Sequence, residues 1–277
     1  MKTLLKNKLI IVGAAIVGSL VIISVFAPII ATHDPLDIKI ENALLKPSAE
    51  HFFGTDQLGR DIFSRMVYGA RISLVIGFVA VGISVFIGLI IGSVAGYYGN
   101  KIDSILMRFV DIMLCFPSFF LILALIALFE PNIIIIMVVI GVTGWMSTAR
   151  LIRAEILSLK QREFIQASRV LGASDFRIIT GHLIPNGIGP VLVSAVLGIG
   201  VAILVEASLS FLGLGVQPPT PSWGNILMEG KATLGTCWWL MLFPGLAILI
   251  TVLGYNLLGE GLRESLSGRD VSSKKSK

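Results

Sequence analysis

Glu163-Phe164-Ile165-Gln166-Ala167-Ser168-Arg169-Val170-Leu171-Gly172-Ala173-Ser174-Asp175-Phe176-Arg177-Ile178-Ile179-Thr180-Gly181-His182-Leu183-Ile184-Pro185-Asn186 is a polar, amphipathic stretch between apolar runs that look membrane-spanning. From Glu163 onward, apolar or small residues fall at Phe164, Ile165, Ala167, Ser168 and Leu171, with Glu163, Gln166 and Arg169 off that face. Such spacing predicts a helix of about two turns. Gly172 suits the C′ position that closes it. Ser174 can N-cap a second helix, and Asp175 in its first turn favours the helix dipole. That second helix is expected to run to Ile184 and stop at Pro185. On physical grounds alone, the pair is either a membrane-surface element or a docking element for a soluble partner.

Composition explains why the flanking runs read as spans. The chain is 55% hydrophobic and 14% charged, whereas a soluble domain carries about 25% charged residues. Runs long enough to cross a bilayer, which needs roughly 20 apolar residues, occur at 9–31, 72–98, 104–129, 131–149, 188–214 and 238–258. An all-α polytopic membrane protein of about six transmembrane helices is therefore expected. The first run is longer than a signal-peptide core and lacks a small-x-small cleavage site, so it reads as a retained anchor.

Charge asymmetry orients these spans. Sixteen of the 22 Lys and Arg fall before span one, around the start of span three, between spans four and five, or in the tail. The other six, Lys39, Lys46, Arg60, Arg65, Arg71 and Lys231, lie in the two large loops of the opposite side. The positive-inside rule then places both termini and the 150–187 loop in the cytoplasm. Tyr97 and Tyr98, and Trp238 with Trp239, fall where aromatic anchors belong. The net charge of +5 is accounted for by topology and anionic lipid, with no need for nucleic acid.

Several classes of chemistry are missing from the pattern. Cys115 lies inside a span, so a structural disulfide with Cys237 is not expected. His33, His51 and His182 look too scattered for a metal cage, and no metal site is expected. No Walker A, HExxH or nucleophile-elbow pattern occurs, so no catalytic residue is assigned. Energised work would draw on another chain or on an ion gradient.

Within the spans, Ser84, Gly88, Gly92 and Gly96 recur every four residues, and Ser194, Gly198 and Ala202 make a shorter stripe. Small residues let helices approach closely in lipid. The stripes read as packing within this bundle or as a moving interface with a second membrane subunit. Pro117 and Pro244 are expected to kink their helices. Glu206 lies within span five, where a carboxylate needs pairing, hydration or protonation. With Ser208 and Ser210 it is a candidate for a substrate pathway, the alternative being a hydrogen bond that holds a helix. Arg108 and Asp111, three apart, are expected to pair.

The stretch Gln166-Ala167-Ser168, then Gly172, then Leu183-Ile184-Pro185 resembles the EAA motif of ABC importer permeases. Gln166 stands where that motif has Glu, Ser168 where it has the second Ala, and Ile184 where it has Leu; the small face and the polar position are kept. A second stretch, Phe53-Gly54-Thr55-Asp56-Gln57-Leu58-Gly59-Arg60-Asp61-Ile62-Phe63-Ser64-Arg65 followed by Tyr68-Gly69-Ala70-Arg71, resembles the dipeptide, oligopeptide and nickel branch. So does Leu209-Ser210-Phe211-Leu212-Gly213-Leu214-Gly215, with Pro218-Pro219 and Pro221-Ser222-Trp223-Gly224. The likeness runs from the first span to about Ser265 and is closest to the C-type permease.

This resemblance implies a MetI-like core of five spans over residues 71–260. An N-terminal helix and extracytoplasmic segment, 1–70, precede it, and a cytoplasmic tail, 261–277, follows, expected to lack structure after Gly268. It also implies a bacterial inner-membrane complex with a second, different permease, two ATP-binding subunits and an extracytoplasmic substrate-binding protein. ATP and Mg would sit on the partner subunits, and no cofactor on this chain. Phe164, Gln166, Ala167, Ser168, Arg169, Gly172, Ala173 and Pro185 would meet the ATPase. Loops 32–70 and 215–237 would meet the binding protein. Di- or oligopeptides are the expected cargo, with nickel or a nickel chelate the alternative. A secondary transporter using Glu206 would instead show two related halves, and a membrane enzyme would show converging polar groups; the sequence displays neither.

Overall fold

Long apolar runs become long helices because lipid leaves backbone polar groups no partner outside the segment. The computed structural model describes residues 7–129, 132–233 and 235–274, the stretch after 266 for its backbone only. In chain order the helices are α1 (Lys8–Val25), α2 (Ala27–Ile30), α3 (Ile62–Tyr98), α4 (Asn100–Leu114), α5 (Ser118–Ile126), α6 (Ile133–Leu159), α7 (Glu163–Val170), α8 (Asp175–Ile178), α9 (Ile184–Phe211), α10 (Trp223–Gly230) and α11 (Trp239–Lys274). No strand occurs among the described residues. Five helices are long and apolar enough to span a membrane, and a bent pair allows a sixth.

The bent pair corrects one expectation. Residues 104–129 do not form a single kinked helix: α4 and α5 meet at 81° across Cys115–Pro117. Pro117 offers no N–H and pushes Phe116 out of helical geometry, so the helix stops and restarts. Helix α4 carries charge on one face. Asp103 pairs with Arg153 of α6 at 2.5 and 2.6 Å, and Asp111 pairs with Arg150. The expected Arg108–Asp111 pair is thus replaced by a bond between helices, and α6 continues ten residues beyond the expected end at 149.

Helix α3 lies along α6 through the four-residue stripe. A Cβ on Gly88 would meet Thr148 at 2.6 Å, one on Gly96 the Arg153 carbonyl at 3.0 Å, and Gly92 abuts Ala149 and Ile152. Ser84 adds a hydrogen bond to the Gly141 carbonyl at 2.8 Å. The stripe therefore serves packing inside this chain. Helix α1 crosses α11 by the same means, with Gly13 against Leu258, Gly254 against Ile16 and Gly261 against Ile10.

Helix α11 runs through Pro244 without ending there. It also continues past Gly268 to Lys274, where the tail was expected to lose structure; residues 275–277 lie outside the described residues. Cys115 is exposed and Cys237 buried, and neither is bonded.

Candidate functional site

The α7–α8 pair sits at the bundle end where α3 and α6 finish. Inward, Ile165, Ile178 and Leu183 are fully buried against Tyr97, Ile152 and Ile156. The Tyr97 hydroxyl donates to Asp175 at 2.5 Å, and Lys160 donates to the Tyr97 carbonyl. Lys160 and Arg169 lie over the Tyr97 ring at 5.5 and 5.6 Å. Gln166 donates to the Lys160 carbonyl at 3.1 Å, and Ser168 to that of Phe164 at 2.8 Å. One tyrosine at the end of α3 thus ties together α6, α7 and α8.

Gly172 has φ +79°. Its N–H donates to the Arg169 carbonyl at 3.0 Å, and the Ala173 N–H to that of Ser168 at 3.1 Å, closing α7 in a Schellman motif. A Cβ there would meet nothing within 4 Å, so conformation alone favours glycine. Ser174 caps α8 by accepting from the Arg177 N–H at 3.4 Å.

Two expectations for this segment change. The predicted apolar face divides: Ile165 turns inward, while Phe164, Ala167 and Leu171 stay exposed with Val170 and Phe176. Val170 is 88% and Leu171 87% exposed. The second helix does not stop at Pro185 either. Residues Ile179–Leu183 form a π turn that leads α8 straight into α9, with Pro185 in the first turn of α9. A proline is tolerated there because the wider π turn just before it leaves room for the ring and does without the hydrogen bond of the missing N–H.

At the other end of the bundle, Glu206 of α9 is fully buried. It accepts from Ser210 at 2.7 Å, Ser222 at 3.0 Å and Ser73 at 3.4 Å. Each hydroxyl itself accepts a backbone N–H: Val216 on Ser210, Asn225 on Ser222 and Trp223 on Ser73. All three hydroxyl protons are therefore free to point at the carboxylate, which joins α3, α9 and the start of α10. Ser208 takes no part, donating to the Leu204 carbonyl at 2.8 Å.

The 53–65 stretch builds an ion cluster beside it. Asp56, fully buried, accepts from the Arg60 Nε at 2.6 Å and from Arg65. Glu229 of α10 receives both guanidiniums, with Arg60 Nη2 at 3.0 Å and Arg65 Nη2 at 2.9 Å. Gly59, at φ +73°, is pressed against the Lys39 carbonyl where no Cβ fits. Asp61 caps α3 by accepting the Ser64 N–H at 2.8 Å.

Two histidines expected to be scattered also meet here. His33 and His51 lie with ring centroids 4.8 Å apart, and both approach Asp61 Oδ1, at 3.8 and 2.9 Å. Their separation in sequence hid this, and only the Asp61 of the 53–65 stretch marked the place.

Comparison with known proteins follows this geometry. Residues 88–269 match the family described as binding-protein-dependent transport system inner membrane component. Residues 1–47 match the N-terminal TM domain of oligopeptide transport permease C. The dipeptide transport system permease protein DppC of Alkalihalophilus pseudofirmus is 44% identical over 96% of this chain and 87% of its own. DppC of Bacillus subtilis is 42% identical, covering 96% and 83%. OppC of Bacillus subtilis, an oligopeptide transport system permease protein, is 40% identical, covering 94% and 85%. Among solved structures, the inward-facing MetNI methionine ABC transporter matches with TM-score 0.55 and 20% identity over 74% of this chain and 97% of that one, which supports a MetI-like all-α fold. The chain belongs to the binding-protein-dependent transport system inner membrane components, a family of multi-pass membrane permeases.

Proposed function

We propose that this chain is one permease subunit of an ATP-driven importer of di- and oligopeptides. The observation that carries the coupling part is the exposed apolar edge Val170–Leu171–Phe176 on a helix pair braced through Tyr97. An ATPase seated on that edge would move α7 and α8. The unbroken path from α8 through the π turn into α9 would carry the motion into a span. Phe164, Gln166, Ala167, Ser168, Arg169, Gly172, Ala173 and Pro185 form or support this element. Two ATP-binding subunits hold ATP and its Mg²⁺, and this chain contributes no residue to hydrolysis.

The named relatives above support peptide as cargo, and none of them is named for nickel. A second, different permease completes the pathway. A cavity of about 470 Å³ among α3, α5, α6 and α9, edged by Ser84, Ser118, Thr143, Thr148 and Ser194 and free of ionisable groups, suits an amide backbone. Glu206 and Ser210 act as a brace across helices. We assign the 150–187 segment and both termini to the cytoplasm, from the positive-inside count. The 32–70 and 215–237 loops then face the binding protein, and 71–260 forms the transport core.

The test is uptake in cells lacking only this chain, comparing labelled di- and oligopeptides with radioactive nickel. Peptide uptake is expected to disappear while nickel uptake persists. Loss of nickel uptake alone would overturn the peptide assignment.

A further inference from the structure

We propose that His33, His51 and Asp61 form a site for one divalent transition-metal ion of the zinc class, at the bundle end opposite the α7–α8 turn. One donor atom from each lies within 4.8 Å of the other two. Asp61 Oδ1 is 2.9 Å from His51 Nδ1 and 3.8 Å from His33 Nδ1. A tetrahedral ion with bonds of about 2.0–2.1 Å holds its ligands about 3.4 Å apart, between these two distances.

The surroundings fit a ligand set of two fixed members and one adjustable. The Asp61 carboxylate is oriented by the Ser64 N–H on Oδ2 at 2.8 Å. The His51 backbone is locked to Ser48, accepting its N–H at 2.8 Å and donating to its hydroxyl at 3.1 Å. His33 is anchored by its own N–H on Ser64 Oγ at 2.9 Å, while its side chain keeps 32% exposure and freedom to turn.

Charge argues the same way. Asp61 has 1% of its side chain exposed, and a buried carboxylate needs a paired charge or a metal. Among the described residues no Lys or Arg pairs with it, although Asp56, five positions earlier, takes two arginines. Among the described residues His51 Nε2 has no hydrogen-bond partner and Nδ1 lies 2.9 Å from Asp61 Oδ1, so without an ion the ring proton sits on Nδ1 and is donated to Asp61. An ion would replace that proton between the two ligand atoms, with its release. His33 also borders a cavity of about 720 Å³ shared with Tyr68, Arg71 and Pro219, which gives the ion an entry route and a place for a water ligand. The combination of two imidazoles and a carboxylate suits zinc and its neighbours. Bound there, the ion ties the segment after α2 to the 48–61 loop and to the first turn of α3.

The test uses the full-length chain, purified in detergent without a histidine tag, treated with chelator and titrated with Zn²⁺ or Co²⁺ alone. Wild type is expected to bind one-to-one, with tetrahedral visible bands for Co²⁺ and a metal-dependent rise in melting temperature. His33→Ala removes a ring whose only other polar partner among the described residues is Thr32, so it tests the ligand without threatening the fold. It should weaken binding by about tenfold or more and abolish the rise. His182→Ala should change neither. A wild-type titration without a one-to-one phase, or His33→Ala binding with wild-type affinity, overturns the site. Neither readout depends on what the chain transports.

Discussion

Arg65 at the start of α3 and Glu229 at the end of α10 form a two-point ion pair, with Nη1–Oε2 at 2.5 Å and Nη2–Oε1 at 2.9 Å. Arg65 has 1% of its side chain exposed and Glu229 16%, so water does little to screen the pair. Glu229→Gln would leave Arg60 and Arg65 sharing Asp56 alone. Breaking one partner of a buried pair costs about 3–5 kcal/mol. A clear drop in melting temperature of the purified chain is expected, and an unchanged value would contradict this reading of the cluster.

Gly172→Val places a β-branched residue at φ +79°, where an L side chain costs about 1–2 kcal/mol. With open space around the new Cβ, the damage stays in the α7–α8 turn. The assembled complex should reach the membrane and hydrolyse ATP while uptake falls. Normal uptake by this variant would remove the turn from the coupling account.

Glu206→Ala strands three hydroxyl protons in a buried site, at about 1–3 kcal/mol for each unmatched group. Membrane abundance should fall, with neutral and cationic peptides affected alike. Glu206→Gln keeps one acceptor oxygen for Ser210 and Ser222 and should be much milder. Selective loss of cationic peptides in uptake competition would put Glu206 in the pathway instead.

Leu171→Asp alters a side chain that is 87% exposed, so stability should stay within about 0.5 kcal/mol of wild type. At the centre of a protein interface the same change costs about 2 kcal/mol or more, which is over tenfold in affinity. Co-purification of the ATP-binding subunits is the measurement. Full recovery with the Leu171→Asp chain would move the docking surface elsewhere.

Local rules were readable where the chain obeys them over a few residues. The α7 helix, the Gly172 closure and the Ser174 cap follow from helix geometry and appear as expected. Errors arose where the answer depends on a distant partner. Asp111 reads as the mate of Arg108 until α6 brings Arg150 alongside. Pro185 reads as a stop because a π turn leaves no sequence signal. The five apolar positions of α7 look equivalent, and only packing against Tyr97 selects Ile165 as the buried one. His33 and His51 meet only because the loops before α3 fold back over Asp61.

The most direct test of the central claim is peptide uptake by proteoliposomes holding the purified complex, with binding protein outside and ATP inside. Labelled dipeptide should accumulate only when ATP, binding protein and this chain are all present. Accumulation that needs a proton gradient and persists without ATP would contradict the account and return Glu206 to consideration as a proton site.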